Sequence, residues 1–325
     1  MADRRDLQRY GRTRPAASVP IVADDGTPLA AHEFGSRAAA LTVVFVHGHC
    51  LRAESWSFLR GRLSRHWGAE VRMVCYDHRG HGESGSADPA TYTIDQLARD
   101  LDAVLRALVP DGPVVLVGHS MGAMVTLAYA RLFPHMIGAR VVGLGLIAGA
   151  ASGVTAVGLG RLLNRWTVTS LQLAVRRAPR LVEASQRLSR QLAVPMVRNA
   201  RGRAAGPRLV AAATVLLNEA SPLTMASFLD SLRCFDETAT LCLLAGLPVL
   251  VLGGSADLVV PFAHSVVLAS QLPGAELVRL DGAGHSVILD RAEQVAAAVA
   301  ALVERVIPAS APGCHTALPG CAEAG

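Results

Sequence analysis

Lysine is missing from this chain of 325 residues: all 31 basic residues are arginine. In so Ala- and Gly-rich a sequence, that is more simply a codon-usage bias than a function. Aromatic residues make up only 4%, which argues against a stacking platform for single-stranded nucleic acid. Charged residues are scarce at 18% against 51% apolar, which excludes a wholly disordered chain, a coiled coil and a collagen-like repeat. The net charge of +5 is too small to imply nucleic acid, and no nucleic-acid partner is expected. No two of the six cysteines have C-x-x-C spacing, so neither a zinc ribbon nor a redox dithiol is indicated. Cys75, Cys234 and Cys242 lie in or beside apolar runs and are expected as small core residues; Cys314 and Cys321 fall in a Pro- and Gly-bearing tail. The first twenty residues are charged throughout and lack the apolar stretch of a secretory signal. One uncharged run is long enough to span a membrane, Val141 to Gly160. It carries six glycines and opens with strand-like residues, so it reads as a buried strand entering a loop. A cytoplasmic location is expected.

What the sequence does contain is a series of short apolar runs rich in Val and Leu: 41–47, 71–76, 114–118, 141–147, 248–254 and 276–280. Each ends at or near Gly, His or Asp, as fully buried parallel strands do. Helical patterns lie between most of them. In 94–108 apolar residues recur at 94, 97, 98, 101, 104, 105 and 108, a 3.6-residue period. Thr93 is placed to cap this helix, with Gln96 as the partner in a capping box. Residues 121–132 and 291–306 have similar patterns. Strand–helix alternation implies an α/β fold, a mostly parallel sheet with helices on both faces.

Between about 151 and 240 the strand signals vanish while helical ones persist, at 161–176, 180–198, 208–218 and 222–234. Residues 151–235 hold twelve arginines against three acids, Glu183, Glu219 and Asp230. The expected organisation is a core of 20–150 and 241–307, a helical insertion at 151–240, a flexible arm at 1–19 and a flexible tail at 308–325.

The strongest chemical signal is Gly118-His119-Ser120-Met121-Gly122, a G-x-S-x-G turn between an apolar strand and a helix. The glycines permit a turn too tight for a Cβ, and the turn lifts the serine hydroxyl into the open. The helix N-terminus beneath it favours developing negative charge. A serine needs a base, and the base an orienting acid. His285, in the loop Gly282-Ala283-Gly284-His285 after a strand, can reach the carboxyl edge of the sheet. Asp257, beyond the preceding strand, is the matching acid. Asp281, Asp290, Asp230 and Asp236 compete, the first two too near His285 in sequence to approach its far nitrogen. The oxyanion requires two backbone N–H donors. Met121 supplies one, and His49, following Gly48 in the loop His47-Gly48-His49-Cys50, is the natural second. His47 reads as a histidine that binds loop backbone.

Together, His47-Gly48, Asp77-His78-Arg79-Gly80-His81-Gly82-Glu83-Ser84, the Ser120 turn, Asp257 and His285 resemble the α/β-hydrolases. The likeness covers roughly residues 20–307 and is nearest to actinobacterial serine esterases and lipases similar to monoacylglycerol lipases. It implies a structural loop at 77–84, a cap over the active site at 151–240, and hydrolysis of small-molecule or lipid esters through an acyl-enzyme on Ser120. Neither metal nor organic cofactor is expected. Position 49, usually aromatic or small in this fold, is His here. Thioester hydrolysis, perhydrolysis, C–C hydrolysis and acyl transfer use the same three residues and stay open, as does a non-catalytic binding protein. The Arg-rich cap suggests a peripheral contact with anionic membrane; the sequence is silent on oligomeric state.

Overall fold

The computed structural model describes residues 16–307, apart from 163, 179, 183, 186–187 and 189–219. Eight strands form one sheet: β1 (Ala16–Val22), β2 (Pro28–Phe34), β3 (Leu41–Val46), β4 (Val71–Tyr76), β5 (Val114–His119), β6 (Val141–Ile147), β7 (Val249–Gly254) and β8 (Glu276–Leu280). Their order is β1-β2-β4-β3-β5-β6-β7-β8. The strands β3 to β8 run parallel to one another, while β2 pairs antiparallel with both β1 and β4.

The six parallel strands are those the apolar runs predict; β8, at the sheet edge, is not fully buried as expected and leaves Leu277 and Arg279 exposed, while in the other five the side chains explain why the runs are continuous. Val44, Val74, Leu116, Leu144 and Val251 face one core; Val43, Met73, Val115, Val117 and Leu252 face the other. A strand covered on both faces has no polar side to show. The first core is closed by α2 (Ile94–Leu108), α3 (Met121–Leu132) and α7 (Ala263–Gln271), the second by α1 (Ser57–Trp67) and α8 (Ala292–Val306). Thr93 caps α2 by accepting from the Gln96 amide at 3.1 Å. The reciprocal half of the box is not made, because the Gln96 side chain turns to Asp100 instead.

The β1–β2 hairpin corrects the sequence reading at the N-terminus. The strand β1 begins at Ala16, inside the segment expected as an arm to residue 19, and is held by pairing with β2 from Ala16↔Glu33 to Val22↔Pro28. Cys75 is buried as expected, but Cys234 and Cys242 are exposed. Cys234 caps a short helix and Cys242 lies on a 3-10 turn, where Leu241 and Leu244 take the inward positions. The run from Val141 is β6 followed by a loop, and no described helix is long and apolar enough to cross a membrane.

Between β6 and β7 the chain leaves the sheet. Ser152 bridges Asp236, and the Glu237 amide donates to Ala151 O at 2.8 Å, closing a neck. Beyond it lie α4 (Arg165–Arg177), α5 (Pro222–Ser227) and α6 (Leu229–Arg233). The expected helices at 180–198 and 208–218 fall mostly or wholly outside the described residues, as does the tail from 308. The expected 222–234 helix breaks at Phe228, which is fully buried against Tyr92, His49 and His81.

Candidate active site

The strands β4 and β5 flank β3 on opposite sides. The chain reverses its direction of winding there, so the loops after β3 and β5 diverge and leave a crevice at the carboxyl edge, where ligands of open α/β sheets bind. Ser120 stands in that crevice. Its backbone is forced to φ 54°, ψ −118° between β5 and α3, a left-handed conformation a serine adopts only where the surroundings impose it. The imposition is visible in the glycines. A Cβ on Gly122 would lie 2.0 Å from Val46 O, and one on Gly118 2.4 Å from Gly122 O. Only glycine at both positions lets α3 start so close to β3 and β5.

The loops after β7 and β8 bring the other two predicted residues to the serine. His285 Nε2 lies 2.8 Å from Ser120 Oγ, and His285 Nδ1 lies 2.7 Å from Asp257 Oδ2. Asp257 is held in turn: its Oδ1 accepts from the amides of Val259 and Val260 at 2.8 and 2.9 Å. With Nδ1–H donated to the carboxylate, the Nε2 lone pair is left for the serine hydroxyl. Three of the four competing acids are otherwise engaged. Asp281 is exposed and paired with Arg279, Asp230 bonds Gln172, and Asp236 accepts from Thr238 N. Asp290 Oδ1 is buried with no hydrogen-bond partner, and burial pushes that carboxyl above its usual range.

The loop after β3 packs directly on the serine. A Cβ on Gly48 would touch Ser120 Cβ at 3.1 Å, which sets His49 beside Ser120. Leu51 N donates to Gly48 O at 3.1 Å, and Cys50 between them takes φ 65°. Burial pushes the Cys50 thiol up to about 12, so it lines the site as a thiol rather than a thiolate.

His47 binds loop backbone as expected, but sequence reasoning missed that His78, His81 and His119 extend it into a collar behind this loop. His47 Nδ1–H donates to Gly48 O at 2.8 Å, and His47 Nε2 accepts from the His78 amide at 3.0 Å. His78 Nε2–H donates to His47 O, His81 accepts from Cys50 N, and His119 Nε2–H donates to His285 O. Burial pushes His47 down to about 4 and His49, His81 and His119 to about 3, with His78 lowered too. Neutral rings of fixed tautomer thus brace both the His47–Cys50 loop and the His285 loop. The clue was present in the repetition of His in HGH, DHRGHG and GHS, all at strand ends. The rings do not converge: no three His, Cys, Asp or Glu among the described residues are arranged to hold a metal. The 77–84 loop is structural as expected, with Asp77 accepting from Ala53 N and Glu83 N.

Ser120, Met121, His285 and His49 open on a cavity of about 390 Å³. Its described wall is largely apolar, from Met124, Val154, Leu159, Leu162, Leu229 and Leu232, and no Arg, Asp or Glu among the described residues lines it.

The sequence model described as "Alpha/beta hydrolase family" matches residues 43–298. The chain belongs to the alpha/beta hydrolase family. This alpha/beta hydrolase is 30% identical over 259 residues to the dihydrolipoyllysine-residue acetyltransferase component of the acetoin cleaving system of Pseudomonas putida. That match takes in 78% of this chain but only 60% of the relative's length. A thermophilic esterase from Thermogutta terrifontis superposes with a TM-score of 0.69 at 25% identity, over 90% of this chain and 99% of that one. A bromoperoxidase from Bacillus anthracis superposes with a TM-score of 0.66 at 18% identity, over 89% and 100%. The last likeness is one of fold alone, and fold does not fix the reaction.

Proposed function

We propose that this hydrolase cleaves neutral, apolar carboxylic esters through an acyl-enzyme on Ser120. The observation that carries the reading is the relay Ser120 Oγ–His285 Nε2–Asp257 at 2.8 and 2.7 Å. Ser120 attacks the ester carbonyl as His285 takes its proton. The Met121 and His49 amides bind the oxyanion, aided by the N-terminus of α3. His285 then passes the proton to the leaving alcohol, and water repeats the sequence on the acyl-enzyme. The wall sets the substrate class. A charged acyl chain would lose its hydration in the cavity with no counter-charge among the described lining residues to meet it.

A panel of p-nitrophenyl esters of rising acyl length, run beside a fluorophosphonate probe, tests this. The expected result is turnover of neutral esters, with labelling in the wild type that disappears in Ser120→Ala. Labelling without ester turnover points to another reaction of the same three residues; acyl transfer is then tested first, with a thiol acceptor, given the acetyltransferase relative. No labelling returns the chain to a binding role.

A further inference from the structure

Among the described residues, exposed apolar side chains stand at the mouth of the cavity. Leu159 and Leu162 line the cavity and are also 51% and 63% exposed. Val259, which also lines the cavity, and its neighbour Leu258 are exposed as well, and Leu159 N donates to Leu258 O at 2.8 Å, so these apolar residues are contiguous. Four residues beyond Leu162 stands Trp166, 84% exposed, on α4.

The helix α4 has only a narrow inward stripe: Val168 and Val175 are buried, and Gln172 between them donates to Ala226 O and Asp230 Oδ2. At 100° per residue, Trp166, Ser170, Leu173 and Arg177 fall on the opposite side. That outward face therefore carries a tryptophan and a leucine where an ordinary surface helix carries polar residues. Charge is just as one-sided. Residues 148–182 contain five arginines and no acid. Arg161, Arg165, Arg176 and Arg177 are exposed, and none pairs with an acid among the described residues.

From these observations we infer that the outward face of α4 and the adjoining cavity rim form a docking surface for an anionic lipid layer. Arginines meet the headgroups while Trp166 and Leu173 enter the boundary with the acyl chains, the division of labour of an interfacial amphipathic helix. Trp is suited to that depth, since its ring is apolar and its N–H reaches polar neighbours. A protein partner would need only the helix face. The apolar rim running from that face into the cavity fits a lipid layer better, because an apolar ester can pass from the layer to Ser120 without crossing water. This last step rests on the esterase reading; the docking does not.

Co-sedimentation with phosphatidylcholine vesicles, with and without phosphatidylglycerol, tests the docking. The full chain should pellet with the anionic vesicles at low salt, be released at high salt, and ignore the neutral ones. Trp166→Ser with Leu173→Ser, and separately Arg176→Glu with Arg177→Glu, should each lose the binding. Both pairs should keep their thermal unfolding transition and their turnover of a soluble short-chain ester. An ester embedded in anionic vesicles should be cleaved by the wild type and poorly by both pairs. Absence of binding to anionic vesicles at low salt overturns the proposal, as does equal binding to neutral ones or binding untouched by both pairs. A concentration-dependent dimer that Trp166→Ser with Leu173→Ser dissociates, without vesicle binding, overturns it in favour of a second copy of the chain. If vesicles bind but no ester is cleaved and Ser120 is unlabelled, the esterase reading fails and the docking stands.

Discussion

At the scale of single residues, Ser120, His285 and Asp257 could be located in the sequence because each sits at a fixed offset from an apolar run. Strand ends are legible, and chemistry at the carboxyl edge follows from them. Ser120→Ala should leave the fold intact and lower kcat by about 10⁶, and Asp257→Asn by about 10⁴, since the base survives but loses its orientation. Steady-state kinetics on one ester decide both; a mild Asp257→Asn beside a damaging Asp290→Asn would move the acid to Asp290. His47 was legible as a histidine that binds its own loop, but the rest of the collar was not, because its bonds run between loops. The collar has a measurable consequence. A histidine lowered in the folded state is neutral there while the unfolded chain takes up a proton near the reference value of about 6.5. The unfolded state then binds more protons, so stability is fully present above that value and falls as pH drops toward the folded values of about 3 to 4. Each such ring contributes a slope of up to about 1.4 kcal/mol per pH unit. Denaturant midpoints between pH 7 and about 5 should therefore drop steeply, and His81→Asn should reduce the slope by one ring's share. An unchanged slope in that variant removes His81 from the collar.

At the scale of elements, the parallel strands were legible and the hairpin was not, for one physical reason. The strands β3 to β7 are buried on both faces and read as unbroken apolar runs. The edge hairpin has no such run. The strand β1 contains Pro20, which an edge strand tolerates, and β2 interrupts its apolar residues with His32 and Glu33. Glu33 is nevertheless buried, because Arg72 and Arg37 bind it, and sequence periodicity cannot register a polar residue paired inside. The α5–α6 pair shows a different gap: composition marks 222–234 as helical but does not show that Phe228 breaks it. That ring packs among Tyr92, His81 and His49 and so ties the insertion to the loop beside Ser120. Phe228→Ala should cost about 3–5 kcal/mol, read by denaturant unfolding, and should also lower ester turnover in the variant that remains folded at low temperature. Loss of stability with unaltered turnover would show that the contact does not hold the His49 loop.

For the whole molecule, the hairpin, the sheet and the helical layer are joined at one buried cation. Arg79 extends from the loop after β4 with no exposed surface. It donates to Asp100 on α2 through Nε and Nη2, both at 2.6 Å, and to Asp25 in the β1–β2 turn and Thr91 through Nη1 at 2.6 and 2.9 Å. The guanidinium fork matches two carboxylates at once, which a lysine could not do. A buried pair of this kind is weak evidence of net stabilisation, but removing one partner strands a charge away from water. The two acids differ in one respect that orders the outcome: Asp100 is fully buried, whereas Asp25 is 33% exposed. Asp100→Ala should therefore cost about 3–5 kcal/mol. Asp25→Ala should cost about 1 kcal/mol, because water replaces part of what a half-open carboxylate gave. Denaturant titrations at neutral pH measure both. Fluorophosphonate labelling of Ser120 should persist in each variant under native conditions, since neither acid touches the active-site loops. If Asp25→Ala proves the more damaging, the hairpin rather than the α2 contact is what fixes Arg79, and the edge strands that the sequence hid carry more of the stability of this hydrolase than its central sheet suggests.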